Sequence, residues 1–411
     1  MPVCFSVHNI TGINNLNNII LYREPILIDE KYENKYIIFF PGDYSNFFKN
    51  SIYTYYIYEP INECSDYCFS YEALFWVISS KYLYDHIIFI KPSVFVNCFS
   101  TFSNFINHNS GSLNNNPQNE TNPEIKHKIN HKTNQNVVAN SKTVTKILPK
   151  NKIETEKCEN DKYIDAKGIK HLLFILLSLN NDILKEKSEE DSSIHGFIKK
   201  QNDDTLVNNN FQKCGNMFQS DKTLDNYDKC INNVINKNTI IRKKLILIGF
   251  SKGCSVLFSI LREIYKAEFI LEYIESLYFL DPGFNKQIYD TNIESNSLKV
   301  LSKYNLKIFI HSTPNQIFER NSMTVHKELI NFITMLKNYN INIFSYFHYI
   351  NIEQNINPIN LHFEILEDFS NPFLEKINNI SPFINNCNQM GITCLENKKP
   401  IDKFIFQNWH M

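Results

Sequence analysis

A serine set between two glycines, Gly249-Phe250-Ser251-Lys252-Gly253, is the residue set in this chain best suited to do chemistry. An aliphatic run, Leu245-Ile246-Leu247-Ile248, leads into it, and a helical pattern follows at once. Strand, abrupt turn and helix together make the G-x-S-x-G nucleophile elbow, in which a strained turn exposes the serine Oγ above a sheet. Glycines two residues before and after remove Cβ atoms that would collide with neighbouring elements. The first amides of the helix then point to where an oxyanion would form.

A hydrolytic serine needs a base, and the base needs an anion to hold its tautomer and stabilise its cation. Where this elbow occurs, the partners follow in the chain order Ser, acid, His, each at the C-terminal end of a strand. Asp281 ends the strand-like run Leu277-Tyr278-Phe279-Leu280 and precedes Pro282-Gly283, so it is the first acid in the right place. An Asp before Pro-Gly is also an ordinary turn residue. Glu319, beyond the next strand, is the alternative acid. His362 occupies the place of the base, in a loop expected after a strand over Ile341–Phe347. His311, His326, His348 and His410 compete with it; His348 follows that strand directly, which aims it less well.

Phe39-Phe40-Pro41-Gly42-Asp43 adds the remaining element. A loop after an early strand supplies one oxyanion amide in this arrangement, and the residue after the nucleophile supplies the other. The donors expected are therefore Gly42 or Asp43, and Lys252, with Gly249 and Gly253 shaping the elbow. By itself Pro-Gly-Asp reads equally as a tight turn.

The elements that must position these residues alternate in type. Strands are expected at Tyr36–Phe40, His86–Ile90, Leu245–Ile248, Leu277–Leu280, Lys307–Ile310 and Ile341–Phe347. Helices are expected at Tyr71–Tyr84, Ala166–Leu179, after the elbow through Val256, Leu257, Ile260, Leu261 and Ile264, and at Val325–Leu336. Such alternation predicts an α/β fold: a mostly parallel sheet with helices on both faces. Residues 1–35 and 370–411 would add edge strands and closing helices.

Two Asn- and Lys-rich tracts interrupt this pattern and divide the chain. The expected organisation is an N-terminal part of the domain at 1–106, an insertion at 107–160 and a core helix at 161–180. A second insertion at 181–240 and the elbow-bearing C-terminal part at 241–411 complete it. Both tracts are too polar to bury a core and read as disordered. The acid-free run from Lys126 to Lys152 reads as a solvated loop rather than a polyanion site.

Composition sets the outer bounds. The 411 residues carry a formal net charge of −1, which gives no whole-chain reason to bind nucleic acid. The ten cysteines form no CxxC pair; the nearest pairs, Cys64 with Cys68 and Cys387 with Cys394, lack accompanying histidines. Neither metal nor cofactor is expected, and an intracellular setting is. The 87–106 segment approaches membrane-spanning length but is broken by Lys91, Pro92, Asn97 and Asn104, so no transmembrane segment is expected. The N-terminus has no secretory pattern.

The chain resembles a eukaryotic family of α/β-hydrolase-like proteins whose animal member was first named as a chromosome-2 open reading frame product. The resemblance rests on Phe39-Phe40-Pro41-Gly42-Asp43, Gly249-Phe250-Ser251-Lys252-Gly253-Cys254, His311-Ser312-Thr313-Pro314-Asn315-Gln316 and His362-Phe363. These pieces span about residues 36 to 370 apart from the insertions. The chain departs in reading Asp281-Pro282-Gly283-Phe284 where the family tends to have Asp-Gly-Gly-His, and near Glu319 where it tends to have Asp-Pro. Asp281-Pro282 is also similar to the acid position of pancreatic-type lipases, where the acid follows the sixth strand. The resemblance implies an α/β-hydrolase fold and residence in mitochondria, with the cytoplasm as the alternative. The function expected is a serine hydrolase acting on a small acyl ester, thioester or lipid. The alternative is an inactive hydrolase-fold protein that binds a lipid or a protein partner.

Overall fold

The computed structural model describes residues 5–43, 45–48, 69–96, 99–106, 167–194, 243–283, 293–314, 323–349, 358–369 and 392–394. The first insertion and Glu319 lie outside these. Residues 1–107 and 165–411 cluster as one unit, to which every residue of the candidate site belongs.

The strands are β1 (Ser6–Thr11), β2 (Asn17–Arg23), β3 (Tyr36–Phe40), β4 (His86–Ile90), β5 (Val94–Val96) and β6 (Phe99–Thr101). They continue with β7 (Leu245–Phe250), β8 (Ile274–Leu280), β9 (Lys307–Ser312), β10 (Asn342–Phe347) and β11 (Ile392–Cys394). The helices are α1 (Tyr71–Lys81), α2 (Lys167–Ile194), α3 (Cys254–Glu263), α4 (Ser295–Leu301), α5 (Met323–Asn338) and α6 (Pro358–Asp368).

Nine strands join in the order β1-β2-β4-β3-β7-β8-β9-β10-β11, while β5 and β6 form a separate hairpin. The β1–β2 and β2–β4 pairings are antiparallel. From β4 through β3 to β11 every pairing is parallel. The N-terminal segment thus supplies an edge hairpin and β11 the opposite edge. The fold is the α/β sheet expected from the alternation of elements.

β3 and β7 are apolar throughout because both faces of the central strands are covered. Their side chains alternate between two cores. Tyr36, Ile38, Phe40, Leu245 and Leu247 meet α2, α3 and α5 on one face. Ile37, Phe39, Ile246, Ile248 and Phe250 meet α1 and α6 on the other. α1 begins at Ser70, whose side chain accepts a hydrogen bond from Ala73 N, the usual serine N-cap. In α3 and the turn that follows it the stripe Val256, Leu257, Ile260, Leu261 and Ile264 is buried as its spacing predicts.

Two segments differ from expectation. α2 continues past residue 180 to Ile194. His362 lies not in a loop but within α6, whose Pro358 occupies the first helical position and whose Leu361, Ile365 and Leu366 make a buried stripe. The Asn-rich approach to Pro358 hid this short helix from a sequence reading.

The chain leaves the described core at Ile106 and re-enters it at Lys167, and these two points are close. A Cβ on Gly168 would lie 2.9 Å from Phe105 O. Lys167 Nζ donates to Ser103 O at 3.0 Å. Ser259 Oγ on α3 donates to Phe105 O as well, at 3.2 Å.

The β1–β2 turn is fixed by a histidine on α2. His171 Nδ1 accepts from Ile13 N at 3.2 Å, so its Nε2 carries the proton and donates to Asn18 Oδ1, also at 3.2 Å. Burial, with Lys167 adding in the same direction, pushes the His171 imidazole down to about 4.

Candidate active site

Ser251 opens a 3-10 turn, Ser251–Gly253, that runs straight into α3. Its φ is 50, the left-handed region that costs a non-glycine residue strain. Three glycines make the turn possible. A Cβ on Gly253 would lie 2.0 Å from Phe40 O, and one on Gly249 would lie 2.8 Å from Cys254 Cα. A Cβ on Gly42 would lie 3.2 Å from Ser251 Oγ itself. The Pro41-Gly42-Asp43 loop therefore packs directly on the Ser251 turn.

Cys254 braces the elbow from beneath: its Sγ donates to Gly249 O at 3.1 Å and lies 3.8 Å from Leu280 O. Burial raises this thiol well above its ordinary value, which suits a packing role. Asp43 is braced from the side, its Oδ1 accepting from Ser100 N at 2.6 Å and Ser100 Oγ at 2.9 Å. Ser100 lies in β6, so the small β5–β6 hairpin steadies the loop. Burial lowers the Lys252 ammonium from its ordinary value, with Asp43 opposing that shift.

Asp281 follows the last residue of β8, the sixth strand of the main sheet in chain order, and is fully buried. It too has positive φ, 46. His362 Nδ1 lies 2.6 Å from Asp281 Oδ2. A carboxylate only accepts, so Nδ1 is the donor and Nε2 presents its lone pair. Asp281 Oδ1 accepts from Thr313 N and Oδ2 from Thr313 Oγ1, both at 2.8 Å. The Phe250 ring, adjacent in sequence to Ser251, stacks on the His362 imidazole with centroids 4.5 Å apart and planes 30° from parallel. Among the described residues Ser251 Oγ forms no hydrogen bond, so the serine–histidine bond is not closed here.

The structure thus brings Gly42 against Ser251 and Asp281 against His362, with Phe250 linking the two pairs. His311 and His348 are bonded instead to each other, Nδ1 to Nε2 at 2.8 Å, and both are fully enclosed. Burial drives His311 well below its ordinary value, and His348 down to about 4 against the opposing pull of Asp368 and Asp281. The side chain of His326, and the whole of Glu319 and His410, lie outside the described residues. Among the described residues no cluster of three His, Cys, Asp or Glu could hold a metal, and no helix is long and apolar enough to cross a membrane.

Sequence reasoning missed Phe250, Ser100 and Thr313. Phe250 was legible in principle, since alternation along β7 places it on the face of Ile246 and Ile248. Ser100 and Thr313 touch their partners across 57 and 32 residues; Thr313 stands in the His311–Gln316 motif, but nothing local in that motif names Asp281 as its partner.

Strand order, elbow and the strand-end acid–histidine pair define an α/β-hydrolase-fold protein. The chain belongs to the C2orf69 family, whose model matches residues 6–342. No curated protein matches the sequence. Among solved structures it is similar to a candidate carboxylesterase from Lactobacillus plantarum, at 9% identity over 83% of this chain and 86% of that one, TM-score 0.32. It is also similar to an acylaminoacyl peptidase from Pyrococcus horikoshii, at 9% identity over 93% of this chain and 44% of that one, TM-score 0.37. Both likenesses are too distant to carry an assignment of activity.

Proposed function

We propose that the chain is a serine hydrolase acting on an ester, thioester or acyl-lipid bond. The observation that carries this reading is the 2.6 Å contact between His362 Nδ1 and Asp281 Oδ2 beside the strained Ser251 elbow. Ser251 Oγ attacks the acyl carbonyl carbon while His362 Nε2 takes the hydroxyl proton. Asp281 holds the tautomer and stabilises the imidazolium. The amides of Lys252 and of Gly42 or Asp43 bind the oxyanion, each such donor worth roughly 3 kcal/mol in the barrier. Collapse expels the alcohol or thiol, which leaves with the proton from His362. Water then attacks the acyl-serine by the same route and restores Ser251.

A fluorophosphonate probe tests the reading. It labels the purified chain, and labelling is lost in Ser251→Ala and His362→Ala. Undiminished labelling of the Ser251→Ala protein would remove Ser251 from the role.

The open Ser251 hydroxyl favours a second reading, a hydrolase-fold protein that binds a lipid or a protein partner without turnover. Catalytic hydrogen bonds often tighten only when substrate is bound, so the first reading stands ahead. Short acyl esters separate the two: they are turned over under the first, and only stabilise the folded chain against heat under the second. Residence in mitochondria, taken from the family resemblance, is tested by imaging the tagged full chain.

A further inference from the structure

We propose that the end of β9, His311-Ser312-Thr313, is a clamp for the acid, with Thr313 as the residue that positions Asp281 and, through it, His362. The inference rests on the hydrolase reading for its consequence in catalysis, though not for its geometry. Asp281 has left the β8 ladder with a φ of 46, so the sheet no longer dictates where its side chain points. β9 takes over that task because it extends to Ser312, two residues beyond the run Lys307–Ile310 expected from sequence. His311 O accepts from Asp281 N at 2.7 Å, which pins the main chain. Thr313 then grips both carboxylate oxygens, N–H to Oδ1 and Oγ1–H to Oδ2.

Two donors on one residue, one to each oxygen, fix the plane of the carboxylate, as a bidentate partner does. The Thr313 hydroxyl holds Oδ2 independently of His362, so the carboxylate plane does not depend on the imidazole that it must orient. Oδ2 then offers His362 Nδ1 a lone pair in a set direction, and the ring orientation follows. Thr313 is fully enclosed, so its hydroxyl must have an acceptor, and Asp281 is the one it uses. Pre-organising the acid matters because misplacement of a catalytic group by about 1 Å can cost about 100-fold in rate.

Thr313→Val keeps the shape and the amide but removes the hydroxyl donor; Thr313→Ser keeps the donor. In the full chain, the His362 Nδ1 proton is followed by NMR and assigned through its absence in His362→Gln. The downfield resonance is expected in the wild type and in Thr313→Ser, and shifted upfield or broadened away in Thr313→Val. The rate of fluorophosphonate labelling is expected to fall roughly 10- to 100-fold in Thr313→Val, the range for losing a hydrogen bond to a charged group, and to recover in Thr313→Ser. A Thr313→Val protein with resonance and labelling both unchanged overturns the clamp. If the wild type is not labelled yet its resonance responds to Thr313→Val, the clamp stands and the hydrolase reading fails. Should the valine variant not fold, Thr313→Cys, with its weak S–H donor, is read the same way and should fall between.

Discussion

A single methyl group on Gly42 would put its carbon 2.5 Å from Ser251 Cβ, closer than two such carbons ever approach. Loop and Ser251 turn therefore share one volume, and either can hold its place only while residue 42 lacks a side chain. Gly42→Ala should reduce fluorophosphonate labelling of Ser251 by at least about 100-fold, through displacement of the elbow or of the oxyanion amides. The labelling rate, read beside a thermal melt, checks this.

Asp281→Asn should fold normally, because Asn tolerates the left-handed φ that residue 281 adopts. Each Asp281 oxygen faces at least one donor: Thr313 N on one side, Thr313 Oγ1 and His362 Nδ1 on the other. An amide must turn its NH2 toward one of those sides, donor against donor. Labelling and ester turnover should drop by about 10,000-fold, as when a triad acid becomes its amide, with little change in Tm.

Ser251→Gly should be more stable than Ser251→Ala by about 1 kcal/mol, because alanine retains the strain of a φ of 50 and glycine does not. Neither variant is labelled. Denaturant melts of the pair measure the strain stored at the elbow independently of any substrate.

Stability should fall in mild acid. The His171 imidazole titrates near 6.5 when unfolded and about 4 when folded, so the unfolded chain binds more protons between those values. Its contribution is complete above 6.5 and is lost as pH drops toward 4. From pH 7 to pH 5 the loss is about 2 kcal/mol, and His348, also pushed to about 4, adds in the same direction. Denaturant titrations at the two pH values give the difference. Replacing His171 with Asn should flatten the slope while weakening the anchor of the β1–β2 turn.

The central strands and the elbow were readable because their signals are local. Five consecutive apolar residues at β3, the aliphatic run of β7 and the G-x-S-x-G spacing each declare themselves within a short window. Asp281 was readable as a strand-end acid because Pro282-Gly283 marks the stop. His362 was singled out through chain order and lies against Asp281, but its helix was not foreseen, since the apolar stripe of α6 is short and its lead-in polar. The contacts of Ser100 with Asp43 and of Thr313 with Asp281 were not readable. One is set by where the separate β5–β6 hairpin docks and the other by the β8–β9 neighbourhood, and both are properties of the folded chain.

The adjacency of Phe105 and Gly168 makes the seam at Ile106 and Lys167 a natural splice point. About sixty residues separate the two points in sequence, and the entropic cost of joining two points grows only with the logarithm of the intervening length. Excising 107–160 should therefore leave Tm and labelling close to those of the full chain. A foreign domain with neighbouring termini should be accepted at the same place, giving a reporter carried inside the sequence.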